Sequence, residues 1–214
     1  MIESSKLASY LASRIFHDLV SPLTALMNGC SLAFDDDMGM SMRAEGEKLI
    51  KEGVAGIEAK IQFMRFAVGS QALTDDPADI HVAKSLFDKI FSIHKARLDW
   101  RVEPVGITNR QMRVLMNMTL VMMEPAARSG VVTVSVRREG ASLCLEVSAA
   151  GSPGELKREV LEGLAGRQPE GGWGRGGIQP LFTRLIAEEI GYALQVRSSE
   201  AGPVLFARGP AISP

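Results

Sequence analysis

The chain has 214 residues, 46% of them hydrophobic, which is enough apolar material for one large domain or two small ones that fold unaided. With 24 basic against 25 acidic side chains its net charge is −1, which excludes strong non-specific attraction to nucleic acid or to an anionic membrane. Two cysteines, Cys30 and Cys144, cannot build the disulfide framework of a small secreted domain, and no window approaches the roughly 20 apolar residues of a membrane span, so reduced thiols and a cytoplasmic address are expected.

A first helix is predicted over residues 4–34, where Leu11, Ile15, Leu19, Leu23 and Leu26 recur three or four apart. The run Asp35-Asp36-Asp37-Met38-Gly39-Met40 breaks it. A second helix is predicted over residues 41–70, with Ile50, Val54, Ile57, Ile61, Met64 and Val68 forming a coiled-coil-like seam. Two long helices joined by a short loop make an antiparallel hairpin. A lone hairpin leaves apolar surface in water, so a second copy is expected to complete a dimeric four-helix bundle. Gly46, Gly53 and Gly56 each weaken the second helix by up to about 1 kcal/mol, and close helix approach is one use for them.

Residues 72–79, rich in Asp with one Pro, read as a linker ending in an N-cap. The expected domains are residues 1–72 and 78–214. In the second, the predicted order is helix 80–95, strand 97–103, helix 108–128, strands 131–138 and 142–149, helices 153–165 and 176–190, then strands 192–199 and 203–208. The turn Arg138-Glu139-Gly140-Ala141 joins a β-hairpin. The expected class is α+β, a helical hairpin followed by an α/β sandwich with a mixed sheet.

The strongest chemical signal lies inside the first helix, from Arg14 to Leu26. It holds His17, Asp18 and, five residues after the histidine, Pro22. Proline inside a helix costs about 3 kcal/mol, so stability alone explains it poorly. It should bend the helix and leave the Asp18 carbonyl without its helical partner. Helical spacing places Arg14, His17, Ser21 and Thr24 in one outward polar stripe, with Asn28 beyond, while Asp18 points about 100° away. A neutral imidazole is a nucleophile and can take a phosphoryl group from another protein. A lone helical histidine is more often a plain surface residue, and His81 and His94, which lack such neighbours, are assigned to structure. Pro22 and the stripe set His17 apart.

The segment His17-Asp18-Leu19-Val20-Ser21-Pro22-Leu23 resembles the H-box of sensor histidine kinases, and the hairpin with its α/β domain resembles their dimerisation and ATP-binding pair. The later boxes depart from the kinase pattern. Where the resemblance implies a magnesium-binding Asn and a basic residue, Val121 and Glu124 stand. Where it implies the Asp that reads adenine, Ala149 opens the stretch Ala149-Ala150-Gly151-Ser152-Pro153, and an alanine accepts no hydrogen bond. The glycine-rich run from Gly171 to Gly177 reads as a flexible loop before a helix. An intact H-box on a degenerate ATP-binding fold is similar to the ChpT-type histidine phosphotransferases, which the run Gly177-Ile178-Gln179-Pro180 also resembles.

That resemblance implies a phosphorelay role: His17 as phosphoacceptor, supported by Asp18, Arg14, Ser21 and Pro22, with Thr24 and Asn28 contacting the partner. It implies receiver domains of a hybrid kinase and of response regulators as partners. No cofactor or metal is expected on the chain itself, magnesium coming from the receiver. Two alternatives stay open at this stage: a kinase with a divergent nucleotide site, and a dimeric adaptor that binds receivers without transfer. A metal-dependent phosphohydrolase built on His17-Asp18 lacks the several ligands it needs.

Overall fold

The structure, a computed structural model, describes residues 2–126, 130–151, 156–174 and 176–211. Helices α1 (Ser4–Ala33) and α2 (Met40–Ala67) form the expected hairpin, closed by a loop in which Asp35 accepts from the Asp37 backbone N–H. The face that α2 turns to α1 is made of small residues. A Cβ on Gly53 would stand 2.8 Å from the Leu26 nitrogen and 2.9 Å from the Pro22 oxygen, and one on Gly46 would stand 2.6 Å from the Ala33 nitrogen. Glycine therefore permits backbone-to-backbone packing at these positions, which offsets its poor helix propensity.

The branched seam predicted on α2 takes only part in this interface: Ile50 meets Gly29 of α1, where a Cβ would stand 3.0 Å from the Ile50 side chain. Val54 and Ile61 lie 50% and 42% exposed, while Gly53, Gly56, Ala59, Phe63 and Ala67 are buried. Along α1, Phe16, Val20, Leu23 and Met27 recur four, three and four residues apart, and all are exposed. Of these only Leu23 belonged to the predicted apolar stripe.

After a single 3-10 turn (Ser70–Ala72), the linker is strapped to the second unit: the Ala78 N–H donates to the Ile107 carbonyl and the Asn109 N–H to that of Asp76. Asp79 caps α3 (Ile80–Ser92), accepting from the backbone N–H groups of His81 and Val82, as the linker composition implied. Strand β1 (Arg97–Val102) and helix α4 (Asn109–Met123) follow, the helix opening on a Thr108–Gln111 capping box. Then come β2 (Val131–Glu139), β3 (Ser142–Ala150), α5 (Arg158–Leu164), α6 (Ile178–Glu189), β4 (Ala193–Ser199) and β5 (Gly202–Pro210).

The sheet has the order β1-β2-β3-β5-β4, parallel between β1 and β2 and antiparallel elsewhere, which makes it mixed as expected. Gly140, at φ +61°, sits in the two-residue turn between β2 and β3. Alternation along β2 and β3 sends Val132, Val134, Val136, Leu143, Leu145 and Val147 into the core beneath the nearly fully buried α4. Other ends differ modestly. The helix expected over 108–128 stops at Met123 and turns through residues 124–126, and 127–129 lie outside the described residues. The helix expected from 153 starts only at Arg158, residues 156 and 157 being non-helical and 152–155 lying outside the described residues.

Phe63 of α2 packs edge-on against Phe87 of α3 at 5.3 Å, and Phe87 meets Trp100 of β1 at 4.9 Å. The root of the hairpin thus shares a core with the sandwich and is held at a fixed place relative to it. No described helix is long and apolar enough to cross a membrane.

Candidate functional site

His17 stands midway along α1 with its side chain 86% exposed. The helix runs through Pro22 without ending, although Pro22 offers no N–H to the Asp18 carbonyl. That oxygen accepts instead from Nζ of Lys60, reaching across from α2. The stranded carbonyl is the one expected from Pro22, while its donor lies 42 residues on and was not expected. A signal existed: Gly29 meets Gly46 and Pro22 meets Gly53 and Gly56, so counting outward from the hairpin loop brings Asp18 to Lys60.

The carboxylate of Asp18 is placed differently from expectation. One oxygen accepts from Nε of Arg14 at 3.0 Å, and the other lies 3.5 Å from Nδ1 of His17, the outer limit of a hydrogen bond. The separation of about 100° per residue holds for the Cβ positions and not for the ends of the side chains. The side chains lean toward each other, and Arg14, one turn earlier, anchors the carboxylate between them. Arg14 is therefore engaged with Asp18 rather than free along the stripe. The pair is partly exposed, so its own stabilisation is below about 1 kcal/mol and its effect is orientation.

Nδ1 of His17 thus faces a carboxylate while Nε2 points away from it. Ser21 and Asn28 are exposed as expected, and the Thr24 hydroxyl donates to the Val20 carbonyl at 2.9 Å, which occupies its proton locally.

Across from His17, a cleft of about 590 Å³ separates α1 from the second unit. Tyr10, Arg14, His17 and Asp18 line one wall, and Glu124, Lys157 and Glu159 line the other. Sequence reasoning did not bring these last residues to His17, because no local pattern reports which loop of the sandwich faces the hairpin. Lys157 donates to Glu124, and that bond raises the Lys157 ammonium above its ordinary value.

The positions of the kinase nucleotide boxes do not fit a nucleotide. Val121 and Ala149 are buried in the common core beside Leu156 and Val160, where they offer no polar contact to an adenine or a magnesium ion. Asn117 faces inward, donating to the carbonyls of Ala67 at 2.7 Å and Arg113 at 2.8 Å and accepting from Gln179 at 2.8 Å. This network ties the last carbonyl of α2 to α4 and α6. Among the described residues no three His, Cys, Asp or Glu side chains converge as metal ligands.

The glycine-rich run is not the free loop expected of it. Trp173 is buried with Ile178 and Leu181, and the N-terminal part of α1, through Leu7 and Leu11, packs on them. Arg175 lies outside the described residues.

His94 lies just beyond α3, half-buried, its Nδ1 accepting from the Ala96 N–H at 3.2 Å. Burial, and after it the charge of Lys60, hold it below the ordinary histidine value.

Comparison with known proteins gives three findings. Residues 80–202 match the family described as histidine phosphotransferase C-terminal domain. The chain is 27% identical over 195 residues to the protein phosphotransferase ChpT of Brucella abortus (strain 2308), covering 90% of each. Its fold is similar to the 1.7 Å structure of a bacterial phosphotransferase, with a TM-score of 0.84, 25% identity and coverage of 97% of this chain and 98% of that one.

Proposed function

The chain belongs to the histidine phosphotransferase family, and from that premise we propose that His17 is the residue on which the phosphoryl group travels. The protein is a histidine phosphotransferase of a two-component phosphorelay. In the proposed step the Nε2 lone pair attacks the phosphorus of a receiver domain's aspartyl phosphate in line. An N–P bond forms, the bond from phosphorus to the carboxylate oxygen breaks, and the receiver's aspartate leaves as a carboxylate. Positive charge builds on the ring, and Asp18, facing Nδ1–H and anchored by Arg14, stabilises it. The same steps in reverse charge the receiver of a response regulator.

The observation that carries this reading is the exposure of His17 with Nδ1 turned to a carboxylate, which leaves Nε2 open to a partner's active site. Ser21, Thr24 and Asn28 extend the same helix toward the docked receiver. The magnesium of the reaction is the receiver's, and the chain itself binds no nucleotide. The working form is a homodimer, because the exposed apolar residues along α1 and α2 match what a second hairpin would cover, each Å² removed from water contributing about 25 cal/mol.

Mixing the protein with a phosphorylated receiver domain and following the label tests the acceptor. Acid-labile phosphate should appear on the chain and be absent from His17→Gln, whose helicity should be retained because exposed substitutions shift stability within about ±0.5 kcal/mol. Label on the His17→Gln protein would place the nucleophile elsewhere.

A further inference from the structure

Pro22 leaves the carbonyl of Asp18 without a helical donor one residue from the proposed acceptor, and an unmet buried carbonyl costs about 1–3 kcal/mol. An apolar hairpin could have left that oxygen to water. Here Nζ of Lys60 takes it, from a side chain that is itself partly buried. Its reach is determined by the packing around it, since Pro22 rests against Gly53 and Gly56, two turns and one turn before Lys60 on α2. Among the described residues Lys60 forms no salt bridge, so its charge is committed to this one oxygen. The ammonium also stands close enough to His94 to disfavour its protonation.

We propose that Lys60 is a positioning residue for phosphoryl transfer: its ammonium replaces the N–H that Pro22 lacks and holds the turn that aims His17. The inference rests on His17 as the acceptor. Lys60 acts through the Asp18 backbone, and thereby on the carboxylate that links Arg14 to the His17 ring.

The pairing with Pro22 supplies the test. In transfer from a phosphorylated receiver, Lys60→Met should lower the rate at saturating receiver by about tenfold, as small misplacements of a reacting group do, with the half-saturating concentration unchanged. Lys60→Arg should recover most of the rate. In a Pro22→Ala background, where residue 22 again donates its N–H, Lys60→Met should cost less than about twofold, which is the non-additivity expected of two residues sharing one partner. Should Lys60→Met lose helicity, Lys60→Leu is compared with Lys60→Arg under the same limits. A rate within twofold of the parent, an equal loss in both backgrounds, or a loss confined to receiver affinity would overturn the role of Lys60. If His17→Gln is inactive while Lys60→Met is normal, only this inference fails, whereas a His17→Gln protein that still takes label removes the acceptor reading itself.

Discussion

At the scale of single residues, short polar chains govern the site. Arg14 anchors Asp18, Asp18 faces His17, and Lys60 holds the backbone beneath them. His94 belongs to the same neighbourhood and carries a pH signature. In the folded protein its pKa is lowered from 6.5 by burial first and by Lys60 second. The unfolded chain therefore takes up that proton more readily, and between the two values stability rises with pH. The contribution is present above the unfolded value and is lost as pH falls through the folded one. Protonation would also abolish the Nδ1 lone pair that accepts from Ala96. Thermal melts should show the midpoint falling on acidification below about pH 6.5, by less in His94→Gln. An equal fall in that variant would assign the effect to other groups.

Among elements, the hairpin depends on contact between backbones. Gly53→Ala improves intrinsic helix propensity by up to about 1 kcal/mol, yet its Cβ would press on the Leu26 nitrogen and the Pro22 oxygen, neither of which can move without the helix. Overpacking of this kind costs about 1–3 kcal/mol, so the melting temperature should fall. A rise would mean that α1 and α2 stand farther apart. The predicted helix α2 ends three residues sooner than residue 70, at Ala67, and its tightest face lies beside the predicted seam. Hydrophobic periodicity finds large side chains, whereas the tight side of this helix is marked by residues with almost none. The attachment of the hairpin to the sandwich has a comparable character. Asn117 and Arg113 both donate to the Ala67 carbonyl, converting a helix end that would be stranded into a fixed joint with α4.

For the whole molecule, two expectations follow from what the elements bury and what they leave open. Phe16 and Met27, each more than 60% exposed, and Val54 on the other helix are what the proposed second hairpin would cover. Light scattering at micromolar concentration should give twice the mass of 23.1 kDa, and a monomer mass would remove the basis for the bundle. With the kinase nucleotide positions absorbed into the core at Val121 and Ala149, titration with Mg-ATP in a calorimeter at about millimolar concentration should give no saturable heat. Binding with a dissociation constant near micromolar would bring back autokinase activity as a function.

Legible from local pattern were the two long helices, the Asp79 cap, the β2–β3 hairpin turn, and the H-box with Pro22 behind His17. Each depends on neighbours a few residues away, so spacing alone exposes it. The resemblance of the boxes carried the family as well. Tertiary structure alone decided which face of α2 meets α1, that Lys60 answers the carbonyl Pro22 strands, that Asp18 turns toward His17, and that Glu124 and Lys157 stand across the cleft. The turn of Asp18 toward its neighbour His17 is a matter of side-chain lean that helical spacing does not report, and the other contacts join residues tens of positions or more apart, set by helix register and by the docking of one unit on another.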